Sequence, residues 1–212
     1  MSLMQPSLTC LTDPNAQLVA DASTVINLNA TGRAREVIRA LPNRLVVVDL
    51  VPGELAGGRQ RPRQDAELLS ELVVSGFVEI VRLDDRGEQC FEQLVVGPAT
   101  LTLDDGDAAT IAYAVSQRAI ALIDERKANR ICAQRFPYLR VGCTVDIFTH
   151  PDVQHALGKK SLASAVFNAL YQGRMRVLPR HVEWVVELIG VDRAGMCASL
   201  PSSVRLSKRV GS

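Results

Sequence analysis

Acidic residues stand at four places where the chain ends a predicted strand or starts a predicted helix. They are Asp21 (in QLVADAST), Glu54 (LVPGEL), Asp107 (LDDGDAAT) and Asp124 with its neighbour Glu125 (ALIDERKA). One acidic residue at a helix start is routine, but four in one α/β chain predict carboxylates that converge at one edge of a sheet. Converging carboxylates require a cation, and oxygen ligands favour a hard divalent metal ion. The chemistry expected of such an ion is hydrolysis of phosphodiesters.

Helix capping is the alternative explanation for some of these acids. An N-cap aspartate and further acids in the first turn satisfy free N–H groups and complement the helix dipole. We assign Asp104 and Asp105 mainly to capping. Asp107 resembles a capping-box partner, although Glu or Gln is usual there, and capping also remains an explanation for the acid pair at 124–125. Asp21 is different, because it directly follows Leu-Val-Ala in an uncharged segment, where a lone buried carboxylate is costly unless it is paired.

The elements that must position these acids are short apolar runs alternating with helical patterns. Strands are predicted at residues 18–20, 45–50, 77–83, 119–123 and 139–141. Strands that alternate with helices indicate a three-layer α/β/α fold with a central parallel sheet of about five strands. In such folds the site lies beyond the carboxyl ends of the strands, where the strand order reverses. If the first and fourth strands are neighbours there, Asp21 and Asp124 face the same crevice.

The pattern predicts one domain with additions at both ends. Residues 1–16 carry two prolines and little periodicity, and we predict a flexible leader. Residues 17–143 form the predicted core, and residues 144–198 a helical C-terminal extension of the same domain. The polar tail at 199–212 is predicted to be loose.

Composition excludes several classes of protein. The net charge of +1 excludes a global basic field, so that a nucleic-acid site would depend on local basic patches. The five cysteines are odd in number and include no C-x-x-C pair, which favours free thiols in a reducing compartment. No stretch approaches the roughly 18 apolar residues of a membrane span, and the first residues lack the pattern of a signal peptide. We therefore expect a cytoplasmic protein with no membrane partner.

Two basic clusters stand close to the acids in sequence. The loop GGRQRPRQ (57–64) follows Glu54, and the segment RKANR (126–130) follows the acid pair at 124–125. Arginines beside an acidic metal site suit a phosphate backbone on its way to the metal, and the candidates for substrate binding are Arg59, Arg61, Arg126 and Arg130. A solvated loop and an ordinary polar helix face explain the two clusters equally well.

Four segments, taken in order, resemble a PIN-domain nuclease over about residues 17–175. The segments are VADASTVINLNA, VVVDLVPGEL, LDDGDAATIAYAVSQRAIALIDERKANRIC and LRVGCTVDIF. They are most similar to the prokaryotic branch related to VapC toxins, which carries G-E-x-x-A-I-x-L-A and I-D-D-x-x-A-R followed by a G-T turn. Two positions depart from that pattern: Asp107 stands where Glu is usual, and Glu125 stands where a second Asp is usual.

The resemblance implies a metal-dependent endoribonuclease that uses Mg²⁺ or Mn²⁺ and a metal-activated water. It implies that the catalytic residues are Asp21, Glu54, Asp107 and Asp124, and that the metal ligands are Asp21, Asp107, Asp124 and Glu125. The choice between the last two as the better ligand stays open. Ser23 resembles the hydroxyl residue that PIN proteins place beside the metal or the phosphate, with helix capping an equal alternative. The implied partners are RNA, an antitoxin-like inhibitor protein in a toxin–antitoxin pair, and a second copy of the chain in a homodimer.

Two rival functions are weighed against this one. Another Mg²⁺-dependent phosphoesterase, of the haloacid-dehalogenase type, would have a D-x-D motif after its first strand. The chain has Asp21-Ala22-Ser23 there, which argues against that class. The other rival is a catalytically silent PIN-like module that binds RNA or protein, because retained acids do not prove turnover.

Overall fold

A parallel sheet of five strands runs through the middle of the protein in the computed structural model, which describes residues 9–57 and 62–206. The strands are β1 (Leu18–Ala20), β2 (Leu45–Val48), β3 (Val78–Val81), β4 (Ile120–Leu122) and β5 (Val141–Gly142). Their order across the sheet is β3-β2-β1-β4-β5. The predicted number of strands and the parallel arrangement are therefore confirmed.

Helices connect the strands and continue after the last one. Between strands lie α1 (Ala22–Ala30), α2 (Ala34–Ala40), α3 (Val51–Gly57), α4 (Pro62–Val74), α5 (Asp85–Val95), α6 (Asp105–Gln117) and α7 (Arg126–Arg135). After β5 come α8 (Thr144–Phe148), α9 (Pro151–Tyr171), a 3₁₀ turn (Pro179–His181), α10 (Val182–Ile189), α11 (Val191–Met196) and α12 (Ser202–Leu206). Across the described ranges, no helix combines the length and the apolar character that crossing a membrane requires.

The strands are buried on both faces, which explains why they appear in the sequence as unbroken apolar runs. Because successive side chains of a strand point to opposite faces, Leu18 and Ala20 join one core and Val19 joins the other. The first core is covered by the helices that follow β1 and β2 and by those after β5. The second core is covered by α5, α6 and α7. The three-layer α/β/α arrangement predicted from the sequence is confirmed.

The strand order reverses between β1 and β4. Strands β2 and β3 lie on one side of β1, and β4 and β5 lie on the other side. Strand β4 pairs with β1, with Ala20 opposite Leu122. Asp21 follows β1 directly, and its N–H donates to the carbonyl of Leu122 at 3.4 Å. Asp124 stands two residues beyond the end of β4. The two strands are neighbours as predicted, and both acids lie at the carboxyl edge of the sheet.

The helices after residue 144 share the first core with the sheet. Phe148 and Val166 of this extension are fully buried in the same cluster as Leu18. Parts of the predicted leader and tail also pack there, because Leu11 and Leu200 are apolar and each is only 2% exposed. The remaining residues of those two segments, 1–8 and 207–212, lie outside the described ranges.

Candidate metal centre

One cleft of about 230 Å³ at the carboxyl ends of β1 and β4 collects the acids that the sequence singled out. Asp21, Glu54, Asp107, Asp124 and Glu125 all line it. They come from four separate parts of the chain, and the fold brings them together.

Asp21 both caps α1 and faces the cleft. Its Oδ1 accepts a hydrogen bond from the N–H of Thr24 at 2.6 Å, and its Oδ2 accepts one from the hydroxyl of Ser23 at 2.7 Å. Capping and membership of the site are therefore not alternatives for Asp21. Of the two alternatives given for Ser23, helix capping is wrong, because Asp21 is the N-cap residue and the Ser23 hydroxyl donates to the carboxylate of Asp21 instead.

Asp124 is held in one orientation by two residues that the sequence analysis missed. The Thr144 N–H donates to its Oδ1 at 2.9 Å, while the Thr144 hydroxyl and the Asn27 side-chain amide donate to its Oδ2 at 2.6 and 2.7 Å. Burial, followed by the charge of Asp21, nevertheless raises the pKa of Asp124 to about 7. Polar side chains at 27 and 144, within apolar helical patterns, were the signal that could have identified both residues.

Asp107 lies in the first turn of α6, within hydrogen-bonding reach of Asp21. Burial, followed by the charges of Asp21, Glu125 and Glu54, raises the pKa of Asp107 to about 8. Burial also raises the pKa of Asp21. Burial and the charge of Asp21 both oppose ionisation of Asp107, which is why its pKa lies so far above the usual range.

Glu54 reaches the cleft from α3 and lies against the backbone of α6. A Cβ atom added to Gly106 would stand 1.8 Å from Oε2 of Glu54, so that only glycine leaves room for this carboxylate. Partial burial and the charge of Asp21 raise the pKa of Glu54. The glycine in DDGD therefore leaves space for the Glu54 carboxylate, which its sequence context did not reveal.

The capping assignment of Asp104 is only partly right. Asp104 occupies the N-cap position of α6, but its side chain makes no capping hydrogen bond and lines the cleft instead. Its neighbour Asp105 is exposed and is not among the residues that line the cleft.

Glu125 differs from Asp124 in being partly exposed and paired. It forms an ion pair with Arg176, which lines the cleft together with Arg174. Neither arginine was predicted from the sequence. Both follow α9, about 50 residues after the acid, where no motif marks them.

Of the arginines predicted to bind substrate, the two on α7 are not found in the cleft. Arg126 and Arg130 are exposed on α7 and do not line the cleft; Arg130 donates to the carbonyl of Thr100 at 3.5 Å. Arg59 and Arg61 lie outside the described residues. Their roles stay predictions.

The sequence profile of a family described as DUF3368: PIN domain matches residues 17–190. The chain belongs to the PIN-domain family. No curated protein and no solved structure matches it. PIN domains are in general nucleases that bind divalent metal ions, and the match spans every acid of the cleft together with Arg174 and Arg176.

The donor set of this PIN domain fits such an ion. The cleft offers carboxylate oxygens, which are the ligands that Mg²⁺ and Mn²⁺ prefer. The pKa values of Asp21, Glu54, Asp107 and Asp124 are all raised, in each case first by burial, and neighbouring carboxylates add to the rise for Glu54, Asp107 and Asp124. A divalent cation would favour the ionised form of all four carboxylates.

A second group of ligand-type side chains lies outside the cleft. Cys143, Asp146 and His181 are buried, and their ligand atoms lie within 4.8 Å of one another. The Arg180 guanidinium already contacts this group: it lies 2.9 Å from Asp146 Oδ2, 3.1 Å from His181 Nε2 and 3.9 Å from Cys143 Sγ. Burial alone would raise the pKa of Asp146, but His181, Cys143 and Arg180 hold it at about 2. The protein's own cation thus balances this carboxylate. All five cysteines are free thiols, as predicted.

Proposed function

We propose that this PIN domain is a metal-dependent endoribonuclease that hydrolyses phosphodiester bonds of RNA with Mg²⁺ or Mn²⁺. The observation that supports this most strongly is the cleft between β1 and β4, in which four carboxylates with raised pKa values face one another. Such a cluster is costly to a metal-free fold, and the cost is explained if the acids serve to bind a cation.

The roles we assign follow from how each side chain is held. Asp21 and Asp107 face each other and are the proposed direct ligands. Asp124 accepts three hydrogen bonds that leave one lone pair of Oδ1 for an ion or for its water. Glu125 is paired with Arg176 and is assigned the weaker, water-mediated role. Glu54, which also lines the cleft, is likewise assigned a role through water. A bound ion would polarise the phosphate and activate the attacking water.

The finer biological role rests on the motif resemblance alone. On that ground alone the proposal includes a toxin role, an antitoxin-like inhibitor, a homodimer and a cytoplasmic location. The rival reading, a silent PIN-like module that binds RNA or protein, has the same cleft and differs only in turnover.

A circular single-stranded RNA tests the proposal, because only an endonuclease can open it. We expect linear product with Mn²⁺ or Mg²⁺, none with EDTA, and recovery when the metal is restored. Asp21→Asn keeps a capping side chain and removes the charge, so that it should fold and fail to cleave. Asp105→Asn, which changes an exposed acid near the cleft, should cleave normally.

Two outcomes would contradict the proposal. Opening of the circle that survives both EDTA and Asp21→Asn would exclude the metal mechanism. Tight binding of the circle without any cleavage, in either metal, would favour the binding module.

A further inference from the structure

The segment that follows α9 carries two arginines along one side of the acidic cleft. Met175 and Val177 are buried, 1% and 5% exposed, whereas the intervening Arg174 and Arg176 are exposed. This alternation fixes the segment by its apolar side chains and directs both guanidinium groups away from the core. Both arginines line the same cleft as the acids.

The position of this segment is tied to the acid site itself. A Cβ atom on Gly173 would stand 2.7 Å from the carbonyl of Ala169 and 3.0 Å from Oδ1 of Asn27, so that the backbone packs closely on both. Asn27 is the residue whose amide holds Asp124. The N–H of Met175 also donates to the carbonyl of Ala169 at 3.0 Å. The arginines are therefore placed relative to the acids by direct packing.

The two arginines differ in what they contact. Arg176 is neutralised by Glu125. Arg174 has no hydrogen bond or ion pair among residues 9–57 and 62–206, and its backbone has φ 53, in the left-handed region that non-glycine residues rarely adopt. The fold thus holds an unpaired cation beside an acidic cleft, in an unusual backbone conformation.

We propose that Arg174 binds a backbone phosphate of the nucleic-acid strand next to the bond that is cut. The inference rests on the proposed nuclease function. The carboxylates that line this cleft repel a polyanion, so that its binding is favoured by a cation beside them that is not already paired. A guanidinium matches two phosphate oxygens at once, and the contact is independent of base sequence.

Arg118 provides a matched control. It is an exposed arginine with φ 57, it stands at the C-cap of α6, and it has no ion pair in the described ranges. Asp107 lies in the first turn of the same helix, so that Arg118 is roughly 16 Å away at the far end. Arg118→Gln therefore makes the same chemical change in the same backbone conformation, outside the cleft.

The test compares Arg174→Gln with Arg118→Gln, each in an Asp107→Asn background that prevents cleavage under the proposed function. Binding of a single-stranded RNA is followed by fluorescence anisotropy at several salt concentrations. Arg174→Gln should weaken binding about tenfold, the loss expected for one charged hydrogen-bonded contact. It should also reduce the slope of log Kd against log salt by about 0.7, the value for one phosphate contact on a single strand. Arg118→Gln should change neither quantity.

A second readout separates substrate binding from a structural role. Binding of Mn²⁺ alone, measured by electron paramagnetic resonance in the otherwise wild-type chain, should be the same with and without Arg174→Gln. Equal RNA affinities and equal salt slopes for the two variants would overturn the inference. Weaker Mn²⁺ binding or a lower melting temperature in Arg174→Gln would also overturn it, because either result would point to a structural role. If neither the wild-type protein nor the Asp107→Asn variant binds any RNA, the proposed function is overturned, and this inference with it.

Discussion

Replacing Asp107 with asparagine should make the metal-free protein more stable at alkaline pH. The pKa of Asp107 is raised from 3.8 to about 8, first by burial and then by the charges of Asp21, Glu125 and Glu54. The folded state therefore binds this proton more tightly than the unfolded state does. Stability falls as pH rises from about 4 to about 8, because ionisation of this group opposes folding throughout that window. Asparagine has nearly the same shape and no charge to lose.

The size of the effect follows from the shift. A pKa shift of one unit corresponds to about 1.4 kcal/mol, so that a rise from 3.8 to about 8 sets an upper limit of roughly 6 kcal/mol. Asp107 shares its proton with Asp21 and keeps some contact with water, and we expect about 2 kcal/mol at pH 8. For a domain of this size that is a rise in melting temperature of roughly 4–8 °C.

The assay is thermal unfolding in EDTA at pH 5.5 and pH 8.5. Asp107→Asn should melt well above the wild type at pH 8.5 and by less than half that margin at pH 5.5, because the wild type has lost only part of the stability by then. Asp105→Asn, in the same helical turn but exposed, should gain nothing at either pH. Adding Mn²⁺ should raise the melting temperature of the wild type and leave that of Asp107→Asn nearly unchanged. Equal destabilisation of Asp107→Asn at both pH values would refute the reasoning, because it would make this acid a structural cap.

Two further substitutions test how the other acids are held. Gly106→Ala should displace the Glu54 carboxylate and lower Mn²⁺ affinity at least about tenfold in calorimetry. Gly53→Ala, next to Glu54 in α3 with open space around it, should leave the affinity unchanged, and equal affinities for the two variants would contradict the packing argument. Thr144→Val removes the hydroxyl that donates to Asp124, and it should lower the free energy of unfolding by about 1–3 kcal/mol in chemical denaturation and also weaken metal binding. An unchanged free energy of unfolding would show that this hydrogen bond contributes nothing to stability.

The sheet and the acids at its edge could be predicted because both depend on short stretches of sequence. Buried parallel strands appear as apolar runs such as LVVV, and residues that follow such runs meet at one edge of the sheet. Asp21, Glu54, Asp107 and Asp124 were all singled out by their positions at strand ends or helix starts, and the family resemblance then favoured a metal site over helix capping.

The residues that hold the acids could not be predicted, because they meet them only through tertiary packing. Asn27 lies 97 residues before Asp124 in the chain, and Thr144 lies 20 residues after it. Gly106 matters only because a carboxylate from another helix lies against it. Arg176 lies 51 residues after Glu125 in the chain, and the two meet because α9 packs against α1. The sequence gives no sign of the partner in any of these contacts: a polar side chain in an apolar pattern marks positions 27 and 144, but it does not say which acid each one contacts.

Diffraction from crystals soaked in Mn²⁺, recorded at a wavelength where the ion scatters anomalously, tests the central claim most directly. We expect a peak in the cleft within roughly 2.0–2.4 Å of carboxylate oxygens of Asp21 and Asp107, with Asp124 close by. The peak should be absent from crystals of Asp107→Asn. An empty cleft in the wild-type protein, or an ion bound only by Cys143, Asp146 and His181, would contradict it.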